Sequence, residues 1–564
     1  MARARALFMS RVSIAAAAAV LLFVSAVAPQ AAATTPDFII VGGGTSGCTL
    51  AARLCAGLPA ARIVVLERGP ARNATEEFAV RSPRQTAAAW AVPSITTAWA
   101  SAPAAGTGGR PSVLLTAATL GGSSSINAAQ WSEPVGPDAA GWGVNGLDAD
   151  AARAAYARAA STLGVARPPP PLRYAYGDAW LAAARRAGLP TVADETGRQA
   201  VRGAWLNRLA VTPSGRRVDA CTAYVAPALR GACVERLTVR TGVTVTAVRL
   251  EGGTRDAGSD KDDGEPTRAT GVEIVATKDG PAGRPRTLRA RRAVLLAAGP
   301  YGTPQLLLLS GVGRPADLTA AGVTPRVDLP VGQGGVMRPM VGVNGEYAGV
   351  PLAAVNNATL LGSAAARAAW AAGRGGVLGM ASTMGIGRVA SGRGAYLIAS
   401  FTTLARPPGT PDYTSVCMIN PASRGRLSLA DASVWTPPTV TTGMLDEAAD
   451  VATAVTCVRR LRRVLRAFAP AFGMKETVPG DNVDIDEAVV RASAISGLHY
   501  VGTAAVGRVL DGDLGVKGVD GLYVIDASAI PSMPTSAGPM SSVYMLAEHA
   551  AERLIRRYQG GCGA

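Results

Sequence analysis

The 564-residue sequence is poor in histidine, aromatic residues and cysteine. It has only two histidines, His499 and His549, and aromatic residues make up 5% of the chain. The seven cysteines are few for this length, odd in number and without metal-ligand spacing, so we expect no metal site. They are Cys48, Cys55, Cys221, Cys233, Cys417, Cys457 and Cys562. Cys48 and Cys55 share one face of the first predicted helix, and we expect both in the core.

The formal charge of +16 comes from 56 Lys and Arg against 40 Asp and Glu, and nearly all the cations are arginine. The arginines are scattered among Ala, Gly and Pro, and no basic patch is interleaved with aromatic residues. This pattern reflects a compositional bias, and we infer no nucleic-acid partner. The length allows two or three domains with a large core.

Residues 1–33 have the pattern of a cleaved secretory signal peptide. Arg3, Arg5 and Arg11 precede an apolar run at 14–27, and small residues follow it. The run is too short for a membrane span, so we expect none in the mature chain. Because the segment has no acidic residue, import into an organelle such as a plastid is the alternative. Sequons at Asn73 and Asn357 allow glycosylation of an exported chain.

Residues 37–69 read as strand, glycine turn, helix and strand. Gly42, Gly44 and Gly47 follow the first apolar run with the spacing G-x-G-x-x-G, and Glu67 ends the second strand. Gly42 allows a tight turn, Gly44 lets the backbone approach a pyrophosphate, and Gly47 lets helix and strand pack closely. The helix N-terminus favours phosphate, and Glu67 can accept hydrogen bonds from a ribose 2′-OH. The whole unit predicts a dinucleotide site.

Two later stretches are also rich in glycine and other small residues. Residues 120–127, LGGSSSIN, form a small-residue loop whose backbone can run close to a flavin phosphate, although alone they are also typical of an ordinary loop. Residues 299–313, GPYGTPQLLLLSGVG, follow a third buried strand.

Residues 299–313 resemble the second signature of the glucose–methanol–choline (GMC) oxidoreductases, and residues 120–127 resemble the core of the first. Residues 498–503 and 521–528 are similar to the family's active-site segment and to the turn that rejoins the flavin. The sequences of residues 299–313 and 329–340 most resemble the plant HOTHEAD and mandelonitrile-lyase-like branch.

The resemblance implies an α/β (α+β overall) chain that binds FAD noncovalently. A Rossmann-like FAD domain would be assembled from separated segments, 34–330 and 481–564, and 331–480 would form a substrate domain on an antiparallel sheet. The implied FAD site comprises Gly42, Gly44, Thr45, Ser46, Gly47, Glu67, Gly121, Gly122, Ser123, Asn127, Val245, Gly299, Asp526 and Ala527. Ile126 occupies the place where some relatives attach flavin covalently, which excludes that link.

The implied chemistry rests on His499, which lies where family members carry the catalytic histidine. It would take the hydroxyl proton of an alcohol while hydride passes to flavin N5. His549 lies in a predicted C-terminal helix, and we expect it to face solvent. The second catalytic position, usually His or Asn, falls on Gly538, which has no hydrogen-bonding side chain. Candidate replacements are Ser536, Ser541 and Arg338; the last departs from the family's usual His or Asn.

Three functions remain open at this point. One is FAD-dependent oxidation of a CH–OH group, with O2 or another acceptor taking the electrons. The second is a hydroxynitrile lyase with redox-silent FAD, in which His499 takes the proton of a cyanohydrin. The third is an FAD-binding relative with impaired catalysis.

Overall fold

The computed structural model describes residues 35–134, 138–169, 177–193, 202–252, 267–347, 363–380, 383–389, 396–402, 413–472 and 474–559. The predicted signal peptide, the sequon at Asn357 and Cys562 lie outside these ranges. None of the helices in the described ranges has the length and apolar character needed to cross a membrane.

A five-stranded parallel sheet forms the centre of the nucleotide-binding part. Its three central strands are short runs of buried, mostly apolar residues, as expected for a sheet covered on both faces, whereas the edge strand Leu237–Thr241 is only partly buried. In spatial order they are Leu522–Val524, Ala293–Leu296, Phe38–Val41, Ile63–Glu67 and Leu237–Thr241. Because these strands come from both ends of the chain, the predicted assembly from separated segments is confirmed.

A nine-stranded antiparallel sheet forms the second part. Its main path runs Thr439–Thr441, Gly425–Ser428, Gln333–Tyr347, Tyr413–Ile419, Tyr396–Thr402, Thr383–Val389 and Arg202–Leu206. Met474–Val478 and Ala494–Val501 also pair with the long strand Gln333–Tyr347. The sheet thus draws on segments on both sides of 331–480, and the long strand links it to the nucleotide-binding part.

Three smaller sheets complete the β-structure of the part of the chain that the structure describes. They are Val243–Glu251 with Arg268–Ala276 and Arg286–Arg289, Thr96–Ala100 with Val113–Ala117, and Gln130–Trp131 with Arg208–Leu209. Within the described ranges, the α-helices are Thr45–Gly57, Ala74–Arg81, Thr86–Trp90, Ser123–Ile126, Ala149–Leu163, Gly177–Arg186, Ala226–Arg230, Gly299–Leu309, Pro315–Ala320, Ala364–Ala371, Ala448–Phe472, Glu487–Ser493 and Met540–Gln559.

Two sequence-based expectations about buried residues were wrong or incomplete. Cys55 forms a disulfide with Cys233, so it does more than fill the core; Cys48 is buried and free as a thiol. His549 does not face solvent: it is buried, and its Nε2 lies 3.0 Å from the carbonyl oxygen of Asn145. The last helix packs against Thr45–Gly57 and Ala149–Leu163, so more of its surface is covered than its sequence suggests.

Candidate active site

A cavity of about 810 Å³ opens at the carboxyl ends of the parallel strands and extends to the antiparallel sheet. This is where open parallel sheets bind ligands, and the volume is near the top of the range for small-molecule sites. Most of the predicted site residues line it: Gly42, Gly44, Thr45, Ser46, Glu67, Gly122, Ser123, Asn127, Val245, Gly299, His499, Asp526, Ala527 and Gly538. Gly47 and Gly121 do not, and both have packing roles instead.

The first glycine turn brings backbone to the cavity edge. Gly42 has φ +101°, and a Cβ there would lie 2.5 Å from the carbonyl oxygen of Ala297. A Cβ on Gly47 would lie 1.9 Å from the carbonyl oxygen of Gly42, so this residue is needed for helix–strand packing. Gly44 differs from both, because its Cβ would meet no protein atom closer than 3.7 Å and would point into the cavity. The space beside Gly44 is therefore free for a ligand.

The helix Thr45–Gly57 begins at this turn without a side-chain cap or an acidic residue in its first turn. Its first N–H groups and its dipole are thus available to an anion. A second turn faces the first: a Cβ on Gly122 would lie 2.6 Å from the Cα of Gly44. Gly121 lies behind this turn, where a Cβ would meet the hydroxyl of Ser125. The two backbone turns therefore pack directly against each other, and Gly44 and Gly122 both line the cavity. Together they form a cradle that suits a dinucleotide pyrophosphate.

Glu67 lies at the edge of the cradle with both carboxylate oxygens oriented by backbone. Oε2 accepts from the N–H of Gly43 at 2.9 Å, and Oε1 accepts from the N–H of Gly69 at 2.8 Å. Burial raises the pKa of Glu67, and the backbone donors oppose that effect. Since a carboxylate oxygen can accept more than one bond, Glu67 can still receive a ribose hydroxyl.

Asp526 joins two segments that are distant in sequence. One carboxylate oxygen accepts from the N–H of Gly299 at 2.8 Å and from the hydroxyl of Thr303 at 2.6 Å, and the other accepts from Ser528. Burial raises the pKa of this carboxyl. The arrangement fixes Ala527 and Gly299 at the cavity wall, as the resemblance implies for a turn that returns to the flavin.

His499 lies on a β-bulge in the strand Ala494–Val501. Tyr500 pairs with Met337 and Ser496 pairs with Pro339, so three residues oppose the single residue Arg338. Leu498, next to the histidine, has φ +57°, which is unusual for a residue other than glycine. Bulges of this kind redirect side chains, and here the imidazole faces the cavity.

The surroundings of His499 favour the neutral form of its imidazole. Burial lowers its pKa to about 3, and the charge of Arg338 acts in the same direction. Its Nδ1 has no hydrogen-bond partner within the described residues. The neutral imidazole keeps a lone pair free to accept a proton from a ligand in the cavity, but a pKa this far below 6.5 makes it a weaker base than an exposed histidine.

Gly538 lies directly against His499. A Cβ on Gly538 would be 3.0 Å from Nε2 and 3.3 Å from Cε1 of the imidazole. The two predicted catalytic positions are therefore neighbours, but a side chain at 538 would displace the ring in this arrangement.

The loop that carries Gly538 is held by Arg338. This buried guanidinium donates to the carbonyl oxygens of Pro534 and Ser536, the latter at 2.6 Å, and to Asn420 Oδ1 at 2.6 Å. Burial lowers the pKa of Arg338 to about 9, so it remains charged at neutral pH.

None of the three expected replacement partners lines the cavity. Ser536 donates to the carbonyl oxygen of Gly538 at 2.7 Å, Ser541 donates to that of Ser132 at 2.5 Å, and Arg338 bonds the loop. They support the site from behind it.

Comparison with known proteins agrees with this geometry. The two family models described as GMC oxidoreductase match residues 36–344 and 421–547, the first of which alone is more than half of the chain. The chain belongs to the GMC oxidoreductase family. Enzymes of this family bind FAD, and the glycine cradle, the uncapped helix and Glu67 fit that cofactor.

The chain is similar to dehydrogenase pkfF of Emericella nidulans, with 29% identity over 52% of each protein, so it spans about half the length of that relative. It is 28% identical to human mitochondrial choline dehydrogenase over 91% of this chain and 88% of that protein. The crystal structure of pyridoxine 4-oxidase from Mesorbium loti superposes with a TM-score of 0.75 at 22% identity, covering 94% of this chain and all of that one. This likeness confirms the fold.

Sequence reasoning missed the apolar residues near His499. Met340, Met418 and Ile495 line the cavity on the antiparallel-sheet side. They stand on three strands that are far apart in sequence, and no motif marks them. Arg338 was noticed only as a departure from the family pattern, while its contacts with the loop required the structure. Among the described residues, no cluster of three or more His, Cys, Asp or Glu side chains could hold a metal ion.

Proposed function

We propose that this GMC oxidoreductase binds FAD noncovalently and oxidises the CH–OH group of a small-molecule alcohol, with His499 as the base. The observation that carries the proposal is the neutral imidazole on a β-bulge, facing the same cavity as the glycine cradle. O2 or another acceptor would take the electrons.

The cofactor would be held by contacts that need no covalent bond. The cradle at Gly44 and Gly122 would receive the pyrophosphate, and Glu67 would receive a ribose hydroxyl. Ile126 lines the cavity where some relatives attach flavin, and its side chain has no atom that could form that bond. When bound, FAD supplies the hydride acceptor.

His499 would accept the hydroxyl proton of the substrate. A low pKa keeps the imidazole unprotonated before the reaction. The buried charge of Arg338 lies close enough to lower that pKa, and it would likewise favour negative charge that develops on the substrate oxygen. This electrostatic effect would partly replace the hydrogen bond that Gly538 cannot supply.

The test is reduction of the holoenzyme by alcohols without oxygen. Purified protein should be yellow, release its flavin on acid treatment and lose the absorbance of oxidised flavin when an alcohol substrate is added. His499→Gln serves as the matched variant, since it keeps a polar side chain of similar size without the base. Protein that cannot be reconstituted with FAD would refute the proposal, as would equal reduction rates in wild type and His499→Gln.

A hydroxynitrile lyase is the second candidate. What supports it is the resemblance of residues 299–313 and 329–340 to the HOTHEAD and mandelonitrile-lyase-like branch, together with the absence of a hydrogen-bonding side chain at Gly538. A lyase would need His499 to take a cyanohydrin proton and would leave FAD oxidised. Cyanide release from mandelonitrile without flavin reduction would identify it. If neither activity is found in a yellow protein, the chain is a catalytically impaired FAD-binding relative.

We also propose that the mature protein is secreted. The basic and apolar N-terminus supports this, as do the disulfides Cys55–Cys233 and Cys417–Cys457, which persist in oxidising compartments. The sequon residue Asn73 is exposed, which is compatible with glycosylation. N-terminal sequencing should find a mature start between residues 29 and 35; import into isolated plastids would favour the alternative.

A further inference from the structure

The cavity wall beside His499 is built from apolar side chains on three adjacent strands. Met340 pairs with Met418 on one side and with Ile495 on the other. A Cβ on Gly497, two residues before the histidine, would lie 3.1 Å from the Cε of Met340, which places that side chain against the bulge. Met418 and Ala537 belong to one buried apolar cluster, and Met340 packs on it. The wall is therefore continuous from the sheet to the Gly538 loop.

Ile495 has no protein covering over much of its side chain. It is 54% exposed and lines the cavity, although the strand around it is well paired. An apolar surface at the end of a cavity gains stability when an apolar ligand covers it.

The charged groups of the cavity lie elsewhere. Within the described residues its lining includes only three charged side chains, those of Glu67, Arg68 and Asp526. Glu67 adjoins the first glycine turn, and Asp526 is bonded to Gly299, so these carboxylates belong to the nucleotide end. The wall beside His499 offers no carboxylate to pair with a cationic substrate.

The nearest buried charge on the His499 side is positive. Arg338 lies behind the bulge, and its Nη atoms donate to the loop carbonyls and to Asn420. Because it does not line the cavity, it cannot pair directly with a substrate carboxylate. Its charge nevertheless makes the region unfavourable for a cation in a medium with little water.

From this wall we propose that the substrate is an uncharged alcohol with an apolar carbon skeleton, which packs on Met340, Met418 and Ile495 while its hydroxyl faces His499. The inference rests on the proposed oxidation but adds the substrate class. Neutral substrates should bind best, anionic ones less well and cationic ones least.

A matched series of six-carbon alcohols tests this order. 1-Hexanol, 6-hydroxyhexanoate and 6-aminohexan-1-ol share a six-carbon chain and end in a methyl, a carboxylate and an ammonium group, respectively. With the holoenzyme under anaerobic conditions, the dissociation constant is read from the concentration dependence of the flavin reduction rate or, where no reduction occurs, from the perturbation of flavin absorbance. We expect it to rise roughly 10- to 100-fold from the neutral alcohol to each charged one. The ammonium compound should be the weakest.

Ile495→Glu and Ile495→Gln provide the matched variants. Position 495 is partly exposed, so both should fold; only the first introduces a charge beside the substrate. We expect Ile495→Glu to improve binding of 6-aminohexan-1-ol relative to 1-hexanol by tenfold or more, and Ile495→Gln to keep the wild-type order.

The two proposals fail differently in these experiments. If 1-hexanol binds best but leaves the flavin oxidised, the substrate class stands and oxidation of this alcohol is refuted. If all three reduce the flavin with equal dissociation constants, oxidation stands and the substrate class is refuted. If the charged compounds bind as tightly as 1-hexanol, or none of the three perturbs the flavin, the proposed wall does not select the substrate.

Discussion

Gly44 offers a test of the cofactor site that separates ligand loss from misfolding. A Cβ at this position would lie 3.7 Å from the Cα of Gly122 and 3.8 Å from the carbonyl oxygen of Ala297, both ordinary contact distances. Its φ of −81° and ψ of −161° are extended backbone that alanine adopts. Gly44→Ala should therefore fold, and the loss of a flexible glycine from the unfolded chain should stabilise the apoprotein by about 0.4–1 kcal/mol.

The same methyl group would occupy the space proposed for the pyrophosphate. If it prevents one or two hydrogen bonds to a charged phosphate oxygen, each worth roughly 1.5–3 kcal/mol, FAD affinity should fall by about 10- to 10⁴-fold. Flavin content after purification and titration of the apoprotein with FAD measure this loss, while thermal unfolding of the apoprotein measures the fold.

Gly47→Ala is the matched control. There the methyl group would lie 1.9 Å from the carbonyl oxygen of Gly42, so the fold itself should be lost or strongly destabilised. A Gly44→Ala protein with wild-type flavin affinity would show that the turn does not face the cofactor, and the reasoning about the cradle would be wrong.

Four other perturbations have definite expected outcomes. His499→Ala should keep bound FAD but slow flavin reduction by roughly 10²–10⁴-fold in anaerobic stopped-flow measurements; an unchanged rate would exclude the base. The wild-type reduction rate should show no loss between pH 8 and 5, because a pKa of about 3 keeps His499 neutral there; an acid limb near pH 6.5 would contradict the environment described for it. Gly538→Asn should lower the reduction rate and not raise it, since its Cβ would lie 3.0 Å from the imidazole; a faster variant would show that the ring can move aside. Cys417→Ser with Cys457→Ser should lower the unfolding free energy by about 4 kcal/mol in denaturant titration, given the sequence separation of 40 between the cysteines; an unchanged value would mean the bridge does not form.

The same pKa affects stability with a sign that can be checked. His499 is harder to protonate when folded than when unfolded, where its pKa is near 6.5. As pH falls from about 6.5 towards 3, the unfolded chain takes up the proton first, and stability is lost over that window. Above it this residue contributes no pH dependence. His499→Gln should reduce the loss of stability in this range.

The nucleotide-binding part was largely predictable because its information is local. The strand Phe38–Val41, the helix Thr45–Gly57 and the strand Ile63–Glu67 agree with the pattern in residues 37–69 within one or two positions. Glycine spacing in such a unit follows from steric contacts between neighbouring elements, and the structure shows those contacts at Gly42 and Gly47.

The substrate side was not predictable to the same depth because its contacts are distant in sequence. Met340, Met418 and Ile495 meet only after three strands have paired. From the sequence we expect His549 to face solvent, because the pattern of its own helix does not indicate the two helices that cover it. Cys55 likewise shows nothing of Cys233, which is 178 residues away.

The relation between His499 and Gly538 changes how the departure from the family pattern is understood. From the sequence, Gly538 is a position that has lost a hydrogen-bonding side chain. In the structure, the missing Cβ is what allows the imidazole to lie where it does, because only 3.0 Å separates that Cβ position from Nε2. Arg338 is part of the same arrangement, since it fixes the loop carbonyls around Gly538 and also lowers the pKa of His499. The three residues therefore depend on one another, and restoring the family's usual side chain at 538 alone should not restore the family's usual geometry.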